Sequence, residues 1–391
     1  MKITAVTCHL CCSTTSLGDA IGSAIVRVET DEGVCGHGEP LMGMFCGEAA
    51  LALVNYHAPL LIGRDPLQRG PLWQRMWDSS VWWGRSGANV SVMGGIANAL
   101  WDIEGKVAGQ PCHRLLRADA PASIPVYASL GPAPAVAEVP ALVARLRSRN
   151  FTAAKIGPFF RKAGGGIAGP KGADLRAAMQ PVLVALQREG GPDFGIMADG
   201  HMGGVPDPFT REEALDFAQL LADHDCRFFE EPLSYLDPGG YAWLRERTKV
   251  RIAGGESLSL RRGFEEFVRQ GALDVLQPDA NFVGGVDQFT AVAALADAHG
   301  LAVIPHAWSA GPGVMANLHL SFGCPRVEML EMGQHLTELQ RATFTDPPRV
   351  ENGRLLAPTR PGLGIEFTPE IARRFPFPPG LAERASGLMQ A

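Results

Sequence analysis

From Ser123 onward the chain repeats one alternation, and that alternation limits its fold more than any other feature. Short apolar runs at 123–131, 151–159, 194–201, 226–233, 251–257, 272–279, 301–308 and 326–333 read as strands. Between them lie amphipathic stretches such as Val136–Arg147, Leu175–Arg188, Glu212–Ala222 and Gln288–His299. Strand signals that each lead into a crossover helix fit a parallel (β/α) barrel better than an open sheet.

The residues before Ser123 follow another rhythm. Ile21–Thr30 has the β-branched richness of a strand, Asp31-Glu32-Gly33 makes a turn, and Val34–Glu39 returns as the hairpin partner. From Ala88 to Ala108, Val92, Ile96, Leu100, Ile103 and Val107 recur at helical spacing, and Gly109-Gln110-Pro111 ends the run. Strands followed by helices describe an α+β module. At 391 residues the chain has room for this module beside a barrel of ~250 residues. The expected division is an α+β module over 1–122, a barrel over 123–350, and a Pro- and Gly-rich tail over 351–391 that packs back on the first module.

A formal charge of −6 gives no basic surface for nucleic acid, yet it is compatible with an anionic substrate if a metal supplies local positive charge. Cys8, Cys11 and Cys12 form a C-x-x-C-C cluster with no second Cys/His pair to complete a zinc site, so they read as strand cysteines of a reducing compartment. The N-terminal residues lack the pattern of a signal peptide, and no apolar run approaches ~18 residues. The expectation is a cytoplasmic protein with neither membrane nor nucleic-acid partner.

Chemistry-bearing residues fall where strands end. Asp199 closes the third strand candidate, Glu230 the fourth, Glu256 the fifth, Asp279 the sixth and His306 the seventh. Catalytic groups of barrel enzymes cluster at these C-terminal ends. Three carboxylates on adjacent strand ends would repel one another without a cation between them, and oxygen-only ligands select Mg²⁺ or Mn²⁺. A histidine one strand from Asp279 can donate to that carboxylate, which fixes its tautomer and suits it to act as a general base.

In order and spacing these motifs resemble the enolase superfamily, in its mandelate racemase branch. The resemblance is carried by Ala198-Asp199, Phe229-Glu230-Glu231-Pro232, Gly254-Gly255-Glu256, Gln277-Pro278-Asp279 and Pro305-His306, with Ala99–Lys106 in the first module. It implies a modified TIM barrel, (β/α)7β, with a capping domain completed by the C-terminal tail. It also implies Asp199, Glu230 and Glu256 as Mg²⁺ ligands, Glu231 as a neighbour of the site, Asp279 and His306 as a catalytic dyad, and a homo-oligomer.

One departure narrows the reading. The branch often carries Lys-x-Lys at the end of the second strand, whereas this chain has Lys155-Ile156-Gly157, which leaves Lys155 as an electrostatic partner or a structural residue. His201, two residues past Asp199, resembles the general acid of galactonate dehydratase-like enzymes. Strand alternation would put both on one side. Glu331 matches the acid of the eighth strand end, with Glu328 facing away. The implied activity is dehydration of a sugar acid: loss of the proton alpha to the carboxylate, then of the 3-hydroxyl, giving a 2-keto-3-deoxy acid. The alternatives are a cycloisomerase of a sugar-acid lactone or anhydro-sugar acid, and a non-catalytic barrel that binds sugar acids. Trp82-Trp83-Gly84-Arg85 and the loop Thr14–Ala20 are candidates to close over substrate, and Arg161 and Lys162 to meet a distal carboxylate.

Overall fold

The computed structural model describes residues 1–14, 20–161 and 167–378. The inner part of the Thr14–Ala20 loop, Lys162 and the side chain of Arg161 lie outside the described residues.

The N-terminal module is a three-stranded antiparallel sheet, β1 (Ile3–Thr14), β2 (Ala20–Thr30) and β3 (Cys35–Gly38), backed by helices. The β2–β3 turn places Gly33 at φ 79°, a conformation that glycine adopts without steric cost. Helices α1 (Gly47–Leu61), α2 (Arg69–Ser80) and α3 (Ala88–Val107) follow, and α4 (Cys112–Leu116) leads into the second module. Nearly every residue of α3 is buried, because one side meets the sheet and the other meets the barrel. The approach to the sheet leaves no room for a side chain: a Cβ on Gly38 would stand 2.0 Å from the Gly95 carbonyl oxygen. Cys8, Cys11 and Cys12 lie along β1, and burial pushes the Cys8 and Cys11 thiols up to about 12.

The second module is a closed barrel. Its strands, in order, are Ser123–Pro132, Ala153–Gly157, Gly195–Asp199, Phe228–Glu230, Arg251–Gly254, Val275–Leu276, Ala302–Val303 and Leu330–Gly333. All pair in parallel, the last returns to the first through Leu330–Val126, and a Val303–Val327 bridge closes the ring. Helices α5 (Val139–Ser148), α6 (Gly172–Gly190), α7 (Arg211–Asp223), α8 (Pro238–Arg245), α9 (Leu260–Arg269), α10 (Val286–Ala298) and α11 (Val314–Gly323) fill the crossovers, which gives (β/α)7β. Alternation sorts the strands: Tyr127, Met197, Phe228, Val275, Ile304 and Met329 cluster inside the barrel, while residues such as Ile156, Phe229 and Leu276 join the larger core under the helices.

The paired strands are shorter than the apolar runs suggested. Leu276 and Ile304 are followed within two residues by Pro278 and Pro305, which have no N–H to donate, so pairing stops below Asp279 and His306. The tail adds an antiparallel hairpin, Val350–Glu351 with Arg354–Leu356, to the first barrel strand. Beyond it Phe367 packs with Cys11 and Ile25, and Pro376 bridges to Cys11. No helix among the described residues is long and apolar enough to cross a membrane.

Candidate active site

The acids singled out in the sequence converge on the C-terminal mouth of the barrel. Asp199 and Glu230 are the last residues of adjacent strands and pair in register, and both are buried. Glu256 follows the next strand after the Gly254-Gly255 bend, where Gly255 has φ 122° and packs on Phe264. One oxygen from each of Asp199, Glu230 and Glu256 lies within 4.8 Å of the others. Glu231 is outside this cluster: its backbone turns to φ 42°, and it is buried near Tyr235, whose hydroxyl donates to it.

The electrostatics of the cluster are those of a cation site. Burial, then Asp199, pushes Glu230 up to about 8, and burial raises Glu256 well above the usual carboxylate range. Glu230 Oε1 is buried and has no hydrogen-bond partner. A buried carboxylate oxygen without a donor is costly unless a cation meets it, so the three acids fit a hard divalent ion bound by oxygen ligands.

Lys155 lies on the other side of the same acids, almost completely buried. Its Nζ is 2.9 Å from Asp199 Oδ2, 2.8 Å from Glu230 Oε2 and 2.9 Å from Glu331 Oε1. Burial alone would lower its pKa, but Asp199, Glu230 and Glu331 outweigh that and hold it well above the ordinary lysine value. It is held among carboxylates and is not a surface residue. Burial opposes ionisation of Glu331 too, yet Lys155 brings it down to about 2. Glu331 Oε2 accepts from the amide of Ala307, whereas Glu328 faces outward to Arg251.

His306 Nδ1 is 2.6 Å from Asp279 Oδ2, and Nε2 faces the acid cluster at 3.5 Å from Glu256 Oε2. Nδ1–H donates to Asp279, so Nε2 is the ring nitrogen turned toward the mouth. Burial would lower this histidine, but Glu256 and the bond to Asp279 raise it well above its usual value.

His201 reaches the mouth by a route that strand alternation does not describe. The strand ends at Asp199, and His201 sits in a left-handed turn at φ 52° with its Nδ1 3.2 Å from Asp199 Oδ1. The Phe159 ring meets it edge-on at 5.1 Å. The same ring fills the space above Gly157, where a Cβ would come within 2.1 Å of it. The position without the branch's second lysine is thus covered by an aromatic ring that the sequence reading missed. Nothing in the local sequence marks Phe159, since a phenylalanine after a strand is ordinarily core.

A cavity of about 260 Å³ opens beside Glu331, walled by Ser129, Trp308 and Met332 of the barrel and by Ile21, Met44 and Phe45 of the first module. Of the tryptophans proposed to cover substrate, Trp82 is 91% exposed and Trp83 packs edge-on against Tyr56. Their loop is tied to the barrel where the Gly87 amide donates to Ser259 Oγ.

Residues 138–371 match the family profile of the enolase C-terminal domain-like fold, and residues 4–117 match that of the mandelate racemase / muconate lactonizing enzyme N-terminal domain. The chain belongs to the enolase superfamily, in its mandelate racemase branch. Within that superfamily it is similar to D-galactarolactone cycloisomerase of Agrobacterium fabrum, at 30% identity over 97% of this chain and 100% of that protein. It is also similar to arabinonate dehydratase of Saccharolobus solfataricus, at 30% identity over 86% of each. Among solved superfamily structures, 3,6-anhydro-D-galactonate cycloisomerase from Zobellia galactanivorans superposes with a TM-score of 0.83 at 25% identity, covering 96% of this chain and 99% of that one.

Proposed function

We propose that this chain is a Mg²⁺-dependent hydro-lyase that dehydrates a sugar acid to a 2-keto-3-deoxy acid. The observation that carries the reading is the placing of His306 Nε2 beside the Asp199–Glu230–Glu256 cluster, with Nδ1 fixed on Asp279. Asp199, Glu230 and Glu256 would hold the ion, which when bound supplies Lewis-acid charge to the substrate carboxylate. Mn²⁺ suits the same ligands.

The proton alpha to a carboxylate is weakly acidic, so stabilising the enediolate must supply most of the rate enhancement. His306 takes that proton at Nε2, and Asp279 stabilises the imidazolium that forms. Lys155 contributes a charge whose position is fixed by the carboxylates around it. Glu331, bonded to Lys155 and to the Ala307 amide, borders the cavity where the rest of the substrate lies. His201 donates a proton to the departing 3-hydroxyl, and Gly157 under Phe159 offers no lysine base at the position where the branch often has one.

A second reading has its own support. The Agrobacterium relative that matches end to end is a cycloisomerase, and so is the Zobellia structure. Such an enzyme shares the first proton abstraction and expels a ring oxygen instead of water. Incubating the protein with Mg²⁺ and a panel of aldonic acids, aldaric acids and their lactones separates the two. A 2-keto acid formed from an open-chain acid supports the dehydratase. Ring opening of a lactone or anhydro-sugar acid, with no turnover of open-chain acids, replaces it with the cycloisomerase. We further propose that the protein assembles as a homo-oligomer in the cytoplasm, in keeping with the branch.

A further inference from the structure

Asp279 is held by more than the histidine. Its Oδ1 accepts from the Asn281 amide at 2.6 Å and from Asn317 Nδ2 at 3.0 Å, while Oδ2 faces His306. Asn317, on α11, is fixed in turn, because its Oδ1 accepts from the Ala280 amide at 2.7 Å. Asp279, Asn281 and Asn317 have no solvent exposure. A planar carboxylate bonded at both oxygens by buried donors keeps one orientation, and the imidazole bonded to it inherits that orientation.

Asn281 is in turn gripped by the capping module. Its carbonyl accepts from the Leu41 amide at 3.0 Å and from Ser91 Oγ at 2.6 Å. Its side-chain Oδ1 accepts from Asn98 Nδ2 at 3.3 Å, and its Nδ2 donates to the Gly313 carbonyl at 3.1 Å. Asn98, on α3, also bonds the Ala280 carbonyl and the Val286 amide. The loop after His306 is caught from the same module: Glu39 accepts from the amides of Gly311 and Gly313 at 3.2 and 2.7 Å and from Ser23 Oγ at 2.5 Å. These contacts are close enough to exclude any side chain. A Cβ on Gly94 would stand 2.8 Å from the Gly285 amide nitrogen, and one on Gly311 would stand 2.4 Å from Ser23 Oγ.

We propose that Asn317 and Asn281 are positioning residues for the Asp279–His306 pair, and that the capping module, through Asn98, Ser91 and Glu39, sets the alignment of the base as well as covering the site. The proposal rests on the reading of His306 as the base. Asn317, Asn281, Asn98, Ser91 and Glu39 are all buried. Their effect is transmitted through Asp279 and through the loop that follows His306. A displacement of the order of 1 Å at a reacting group can cost ~10²-fold in rate, so small shifts at the module seam reach the chemistry.

The test uses Asn317→Leu and Asn98→Ala in the full-length protein, with His306→Asn measured alongside. One readout is the His306 Nδ1–H resonance in ¹⁵N-histidine-labelled protein, assigned by its loss in His306→Asn. The other is kcat and KM on the most active acid of the panel. The proposal expects the resonance to move in both variants while the other histidine signals stay in place. It also expects kcat to fall about 10- to 100-fold with KM changed by less than about threefold. Asn98→Ala lies outside the direct bonds to Asp279, so it carries the test if Asn317→Leu does not fold. Folded variants with an unmoved resonance and wild-type kcat overturn the proposal while leaving the base assignment intact. Full turnover by His306→Asn removes the base assignment, and the proposal with it.

Discussion

The molecule buries carboxylates at the seam between its modules and at the barrel mouth, and it supplies them with hydrogen-bond donors to different degrees. At the seam between the modules, Asp102 accepts from the His37 amide, the Leu363 amide and Lys106 Nζ, and Glu39 accepts from Ser23, Gly311 and Gly313. Burial of Asp102 is outweighed by Lys106, and its pKa lies below the usual carboxylate value. At the mouth, the charges of Asp199, Glu230 and Glu256 exceed what Lys155 neutralises, Glu230 is driven up to about 8, and Glu230 Oε1 has no donor. A buried acid fully satisfied by the protein holds the fold together. One left without a donor has room for a cation that the fold itself does not supply.

The contrast is sharpest if one acid is removed from each place. Asp102→Ala strands Lys106 and two amides, and breaking such a buried pair costs about 3–5 kcal/mol. The expected outcome is a large drop in thermal midpoint, with the Mg²⁺ affinity of the folded fraction unchanged. Glu230→Gln should do the reverse. By relieving repulsion at the mouth it stabilises the chelator-treated protein by on the order of 1 kcal/mol, seen as a higher midpoint, while the stabilisation expected from Mg²⁺ in the wild type is lost. Melting curves of both variants with Mg²⁺ and with chelator check the pair, and a metal-free Glu230→Gln less stable than wild type would break the comparison.

A smaller effect concerns the neutral side of the seam. His113 and His319 face each other there, with Nδ1 atoms 3.3 Å apart, and burial lowers them to about 4 and about 3. Their folded pKa values lie below the unfolded value near 6.5, so as pH falls the unfolded chain takes up protons first. Their contribution is complete above about pH 6.5 and declines toward pH 4 and below. His319→Asn should flatten the dependence of the midpoint on pH over that window and change little at pH 7. An unchanged slope would remove the pair from the account.

The barrel was legible because its signal repeats: each short apolar run is followed by a helical one, and a series of that length fits a closed parallel sheet better than an open one. The acids were legible because they fall in register on consecutive strand ends, where one carboxylate alone would read as readily as a helix cap. The sequence did not reveal how far burial reaches. Lys155 reads equally as a surface or a site residue until Glu230 and Glu331 close around it. His201 was read from the pleat, but the strand stops before it and a left-handed turn brings it in. Asn281, Asn317 and Glu39 carry no local signature, because the partners of their side chains lie tens to hundreds of residues away. Contacts of that kind are properties of tertiary packing, which no window of sequence contains.

The central claim is that the unsatisfied acids of the mouth and the fixed histidine beside them make a machine for removing a proton alpha to a carboxylate. It is tested most directly by incubating wild type and His306→Asn with Mg²⁺ and the acid panel in deuterium oxide and following the α-hydrogen by NMR. The account predicts that wild type exchanges or removes the α-proton only with the metal present, and that His306→Asn is slower by ~10²–10⁴-fold while still binding Mg²⁺. A His306→Asn protein that keeps more than about a tenth of the wild-type rate would contradict it, since a general base contributes far more than that.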